Sequence, residues 1–364
     1  MRSVRIRRIA LFVFLTFALS WGFDALIAMG GRHDAYSALG MTPWGMLAPA
    51  FVALVLRLFV FRDSAIHFRR YREKPRWILL GFLLLTPVYG LIIVLAVTVP
   101  GAGTVCRGVG TVLITVWTLL IFFVKGHSEV DAFERAGIGL GDFGQGQRFV
   151  LGVVAFLLLQ AILNLATGLG ELQAGAGRVY GLPTPGAAYP VALIVLFLPV
   201  TVIGIPLSGL AATFGEEYGW RGFLQQELAP LGRLRGALLV GLIWGVWHFP
   251  VILRGIHTYP ATGLGLALGV VFFVLWGIVQ SYAVLKTGSI WVAAFLHGVV
   301  NSVYTFLMTY TVRPNDKVFS FGLGIYGLIC LALVVALILR DSIWQTNDAP
   351  PSVDGGSMVR PPCT

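Results

Sequence analysis

The sequence predicts an all-α, polytopic transmembrane helical bundle of about ten spans, with no sheet. Three observations lead there. Of 364 residues, 57% are hydrophobic and 12% charged, about half the charged fraction of a soluble domain, so most of the surface must face lipid. The apolar residues fall in runs such as RIALFVFLTFALSWGFDALIAM (8–29) and WILLGFLLLTPVYGLIIVLAVTV (77–99), each long enough to cross a bilayer. Much of the cationic charge sits directly beside such runs, in the N-terminal arm and in RDSAIHFRRYREKPR (62–76).

The first run follows Arg2, Arg5, Arg7 and Arg8 as a signal peptide's core would. It is too long for that role and no small-residue cleavage site follows Trp21, so it reads as a retained span. The segments expected to cross are 9–29, 44–61, 77–99, 109–125, 149–170, 190–213, 236–253, 264–285, 289–310 and 320–339. With the N-terminus in the cytoplasm, the basic 62–76 loop returns to that side after two crossings. The loops 30–43, 100–108, 171–189 and 254–263 fall outside and carry few lysines or arginines, as the positive-inside rule requires. An even count brings the C-terminus back inside, with Arg340 at the last helix end. The expected location is the plasma membrane, both termini cytoplasmic.

Three regions follow. Residues 1–148 supply N-terminal spans of no assignable role, 149–340 form a membrane-embedded core, and the Pro-, Ser- and Gly-rich 341–364 reads as a disordered cytoplasmic tail. The mixed-charge loop 126–148 reads as a short amphipathic piece. The net charge of +10 does not point to nucleic acid: placed beside spans, it sets topology and attracts anionic lipid head groups. No phosphate-binding loop is present. Cys106, Cys330 and Cys363 form neither a disulfide framework nor a CxxC pair, and Cys363 is second from the end, not fourth as a prenylation box needs.

Against this background the polar residues inside spans stand out. Each costs roughly 2.5–3.5 kcal/mol to insert and usually faces the bundle interior or a wet cavity. Asp24 stands alone near the outer end of the first span, an interfacial position. The others cluster late in the chain: Glu216, Glu217, Arg221, His248, His297 and Asn301. Pro206 is placed to start a helix over about 207–228 that carries GEEYGWR (215–221). On it Glu217 and Arg221 are i,i+4 neighbours in the favourable order, and Glu216, about 100° around, keeps a free carboxylate. His248 lies one turn after Trp244, and His297 one turn before Asn301. Counted from the cytoplasmic helix ends, Glu216, His248 and His297 lie roughly 12–18 Å deep at 1.5 Å per residue. Three helices thus offer a carboxylate and two imidazoles at one height, in a site expected to open toward the cytoplasm.

These residue types suit hydrolysis. A carboxylate in an apolar cavity can activate water, histidine can hold that water or protonate a leaving amine, and histidine or asparagine can stabilise an oxyanion. Glu216, His248 and His297 are also candidate metal ligands, since two imidazoles and a carboxylate form a zinc set with one open position. Zn2+ is the one cofactor the residues suggest, and no HExxH helix is present to hold it.

EEYGWR matches the EExxxR signature of the CPBP intramembrane proteases, a family that includes type II CAAX prenyl endopeptidases and Abi bacteriocin-immunity proteins. WGVWH, ending at His248, resembles the FxxxH motif with Trp244 in place of phenylalanine, and His297-Gly-Val-Val-Asn301 matches HxxxN. The resemblance covers about 207–305. It implies an intramembrane endopeptidase in which Glu216 activates water, Glu217 and Arg221 support it, His248 positions water or metal, and His297 and Asn301 complete the site and bind the oxyanion. Family members have been described both as metalloproteases and as glutamate-type proteases. The implied substrate is a membrane-embedded peptide or lipidated protein; the prenylated substrates of eukaryotic members are not carried across. The tryptophan is expected to alter substrate fit more than chemistry. An inactive immunity or scaffold protein on the same fold is the main alternative, and a proton-coupled transporter the second.

Overall fold

The structure, a computed structural model, describes residues 5–30, 43–129, 131–173, 178–179, 182–183, 197–255 and 259–345. Helix α1 (Ile6–Met29) buries Phe12, Thr16 and Ser20, spaced by four and therefore stacked on one face. Phe14, Leu19 and Leu26, on its other faces, are exposed. An apolar helix with so narrow an inward stripe is one surrounded by lipid. The chain returns through a 3-10 turn (Trp44–Leu47), α2 (Ala48–Val55) and a π turn (Leu56–Val60). Helices α3 (Arg76–Thr98) and α4 (Gly103–Gly126) form a hairpin, in which the Trp117 indole donates to the Ile78 carbonyl at 3.0 Å.

The short α5 (Ala132–Arg135) is a helical turn within the 126–148 loop, where Arg135 pairs with Glu73 and Glu129. Helix α6 (Phe143–Ala166) starts at Asp142, whose carboxylate caps the Gln145 amide. After β1 (Gly170–Leu172), β2 (Arg178–Val179) and β3 (Leu182–Pro183), a π turn leads into α7 (Ile205–Ser208), α8 (Leu210–Glu217), a second π turn (Tyr218–Leu224) and α9 (Gln225–Leu228). Then come α10 (Arg233–Trp247), α11 (Phe249–Leu253), α12 (Gly263–Thr287), α13 (Ile290–Thr305), β4 (Val312–Pro314) and α14 (Ile325–Ile338). Helix α13, with its π extension to Thr311, has 72% of its most apolar window buried, against 17% for α1. It is the central helix of the bundle.

The helical bundle stands, and the protein is an integral membrane protein, but four expectations need correction. Seven of the described helices are long and apolar enough to span, or eight with the bent pair Phe197–Ser208 and Leu210–Leu231, rather than ten. Trp44–Val60 and Ile325–Ile338 are too short to count, although both run between the two ends of the bundle. The predicted 207–228 helix is not continuous: the chain bends by 64° at Gly209, just after α7. A sheet was not expected, yet β1 pairs antiparallel with β4 and β2 with β3. These are two-stranded clips, the first tying the chain after α6 to the chain after α13. The stretch 341–345 of the predicted tail is packed, with Ser342–Trp344 in a 3-10 turn; 346–364 lie outside the described residues.

The helices define two ends. Arg8 pairs with Asp63 and Glu227, Arg233 donates to the Ile343 carbonyl, and Lys286 pairs with Asp341. The chain's first and last described elements therefore meet at one end, beside the basic 62–76 loop. At the other end lie the β1–β4 clip, the Asn164 side chain bonded to the Phe321 backbone, and an ion pair of Arg254 with Asp24 at 3.5 Å. Asp24 is thus paired, not solitary, because the chain leaving α11 returns beside the last turns of α1.

Candidate active site

Two glycines fix the position of the charged helix. A Cβ on Gly215 would lie 2.3 Å from the Met46 carbonyl oxygen, and one on Gly219 2.3 Å from the Pro49 Cβ. This small-xxx-small stripe lets α8 press its backbone against the Trp44–Val55 segment, as close helix contacts in membranes require. Beyond Glu217 the hydrogen bonding widens into the π turn, a feature frequent at functional sites.

The adjacent carboxylates have different surroundings. Glu217 and Arg221 are fully buried and paired at 2.9 Å. Glu217 Oε1 also accepts from His297 Nδ1 at 2.9 Å and from Gln280 Nε2 at 3.4 Å, and Gln280 donates in addition to the Ala293 carbonyl at 3.1 Å. A buried ion pair is tolerated when further hydrogen bonds satisfy it, and Glu217 binds α8, α12 and α13 together in this way. Glu216 points elsewhere. Its Oε2 accepts from the Trp244 indole N–H at 2.6 Å, and it lines a cavity of about 480 Å³ together with Trp244, His248, His297 and Asn301.

Hydrogen bonding orients both imidazoles. His248 Nδ1 lies 2.9 Å from the Trp244 carbonyl; a carbonyl only accepts, so Nδ1 carries the proton and Nε2 the lone pair. The His248 ring stacks on Phe273, centroids 3.7 Å apart. His297 Nδ1 is directed at Glu217, leaving Nε2 to accept in the neutral ring or donate when protonated. Asn301, one turn further on, is exposed on the cavity wall. The Trp244 ring sits edge-on to both histidines, with centroids 5.7 and 5.5 Å away, and lies against the Arg221 guanidinium at 4.3 Å.

Of the six expected site residues, Glu216, His248, His297 and Asn301 share the cavity, while Glu217 and Arg221 lie behind its wall. Sequence reasoning missed Gln280, although an amide in the apolar run 264–285 is the kind of intramembrane polar residue that marks a site. It also placed Trp244 on the wall only, whereas the indole bonds the carboxylate itself. No motif pointed to the contribution of α1, which lines the cavity through Ser20, Trp21 and Asp24 and donates from Trp21 to the Trp247 carbonyl at 3.0 Å.

The lining also places the cavity mouth. From Glu216 the cavity runs to Asp24, Pro43 and Thr305, at the end of the bundle away from the termini. Each possible zinc ligand keeps one donor atom outside these hydrogen bonds, Nε2 of His248, Nε2 of His297 and the second oxygen of Glu216. Among the described residues, however, no group of three or more His, Cys, Asp or Glu is arranged to hold a metal.

Comparison with known proteins bears on the same stretch. Residues 192–303 match a family model described as type II CAAX prenyl endopeptidase Rce1-like. A protein named CAAX prenyl protease 2, from Methanococcus maripaludis, is 33% identical over 151 residues, which cover 40% of this chain. The matched part spans about half, 51%, of that relative's length. No solved structure matches. Residues 216–221, 248 and 297–301 all fall inside the matched region 192–303, so the part of the chain that builds the cavity is the part similar to type II CAAX prenyl endopeptidases.

Proposed function

We propose that the protein is an intramembrane endopeptidase whose general base is Glu216. The observation that carries this reading is the division of labour between adjacent carboxylates: Glu217 is committed to Arg221, His297 and Gln280, while Glu216 faces the cavity with the Trp244 bond on one oxygen. In the proposed reaction Glu216 takes a proton from a water that His248 Nε2 orients by accepting its second hydrogen. The resulting hydroxide adds to the carbonyl carbon of a peptide bond in the cavity. The Asn301 amide and His297 Nε2–H stabilise the oxyanion, which follows the general logic of preorganised donors. Glu216 then returns its proton to the leaving amine as the C–N bond breaks, giving one new carboxylate and one new amine.

The Glu217–Arg221 pair acts at one remove, holding His297 in the required orientation. Because Glu216, His248 and His297 do not assemble a ligand set, no step runs through a metal. The substrate class proposed is a membrane-associated peptide or protein segment, lipidated or not, that can enter a cavity walled by Trp244, Trp247, Phe273 and Trp276.

The test is cleavage of a peptide library with lipidated and unmodified members by detergent-purified protein, read by mass spectrometry with and without a chelator. Cleavage that survives chelation and is lost in His248→Ala supports the reading. A folded wild type that cleaves nothing would leave the immunity or scaffold alternative as the better account, and loss on chelation with recovery on added zinc would overturn the metal-free route.

A further inference from the structure

The cavity mouth and the positive charge lie at opposite ends of the bundle. The basic end carries five arginines and one lysine in 62–76 alone, along with Arg5, Arg8, Arg233 and Lys286. It is also where the described chain begins and ends, through the Arg8–Glu227 and Lys286–Asp341 pairs. Of the described lysine and arginine side chains, the other end carries Arg107, Arg254, Arg313 and Lys317, and Arg254 is paired with Asp24 at the cavity mouth. Each helix that lines the cavity does so on the half nearer that second end. Helix α1 contributes Ser20 to Asp24 near its C-terminus, α10 contributes Trp244 and Trp247 at its C-terminus, and α13 contributes residues from His297 onward. Helix α12, which runs the other way, contributes Phe272, Phe273 and Trp276 from its first half.

Lysine and arginine near span ends are retained on the cytoplasmic side. From this asymmetry we infer that the catalytic cavity opens toward the non-cytoplasmic face, and that its substrates are peptide segments presented at the outer leaflet rather than lipidated chains delivered from the cytoplasm. The inference about substrates rests on the protease reading; the inference about access does not. The ten passages of chain between the two ends, counting the two short helices, keep both termini cytoplasmic while the site faces out. Exposed Thr305 and Pro43 mark the mouth, and exposed Arg69 marks the opposite face.

The test is labelling of single cysteines in full-length protein freed of Cys106, Cys330 and Cys363, using a membrane-impermeant maleimide on intact cells and on inverted vesicles. Thr305→Cys and Pro43→Cys should label on intact cells, and Arg69→Cys only in inverted vesicles. Labelling of the two mouth cysteines only in inverted vesicles, or in neither preparation, would overturn the inference. A second arm adds a non-permeant substrate peptide to each preparation: cleavage on cells and not on inverted vesicles supports the outer-leaflet substrate class, and the reverse contradicts it. Outside labelling without cleavage in either preparation would leave the access face standing and count against the protease reading and the substrate class that rests on it.

Discussion

The Trp244 indole N–H donates to Glu216 Oε2 across 2.6 Å, with the tryptophan ring 1% exposed. Phenylalanine, the residue the FxxxH motif calls for, could fill this space but could not make this bond. The tryptophan therefore belongs to the environment of the proposed base as well as to the cavity wall.

Trp244→Phe keeps most of the ring and removes the donor. A hydrogen bond to a charged group contributes about 1.5–3 kcal/mol, so kcat should fall roughly tenfold to a hundredfold with KM little changed. In a Glu216→Gln background the same substitution should do nothing more. Steady-state kinetics on the four variants checks this, and a kcat within twofold of wild type would make the bond incidental to catalysis.

How much of this was legible beforehand differs from residue to residue. The Glu217–Arg221 pair followed from i,i+4 spacing, and the shared layer of Glu216, His248 and His297 from counting along helices. The bend at Gly209 did not, because Pro206 reads equally well as a helix start. The span count overshot because apolar composition does not set length: Trp44–Val60 and Ile325–Ile338 are apolar but short. The bonds of Trp244 and Gln280 to the carboxylates depend on how α8, α10 and α12 are rotated about their axes, which side-chain spacing on one helix cannot determine.

The buried ion pair should tolerate joint removal better than single removal. Arg221→Met leaves the Glu217 charge buried with weaker partners and should destabilise by about 3–5 kcal/mol, whereas the Glu217→Gln/Arg221→Met double variant should recover much of that loss. Thermal unfolding in detergent measures both. Equal stability of the Arg221 single variant and wild type would contradict the assignment of Arg221 as the main partner of Glu217.

Close packing of α8 gives a prediction with an internal control. Gly219→Ala puts a methyl 2.3 Å from Pro49 Cβ and 2.7 Å from its carbonyl carbon, while a Cβ at Gly22 on α1 meets nothing within 4 Å. The first should cost about 1–3 kcal/mol as overpacking and lower activity by shifting Glu216. The second should leave unfolding temperature and activity unchanged. Matching behaviour of the two variants would remove the argument for the glycine stripe.

At the end of the bundle that carries Arg8 and Asp341, hydrogen bonds from Lys286, the Ile343 amide and the Tyr282 hydroxyl hold the Asp341 carboxyl down from 3.8 to about 2. A carboxyl depressed in the folded state stabilises it above its unfolded value, and that contribution is lost as pH falls through the folded value. Hydrogen exchange of the Ser342–Trp344 turn, corrected for intrinsic rates, should lose protection between about pH 4 and pH 2, and Asp341→Asn should lack this step. A step of the same size in both proteins would assign it elsewhere.

The central claim is that Glu216, and not its neighbour, activates water. Single-turnover cleavage of a substrate peptide by Glu216→Gln, which preserves shape and removes the base, measures this most directly when run beside circular dichroism and unfolding controls. The account predicts a loss of at least about a thousandfold in the chemical step with wild-type folding and substrate binding. Cleavage by a folded Glu216→Gln within tenfold of wild type would contradict it.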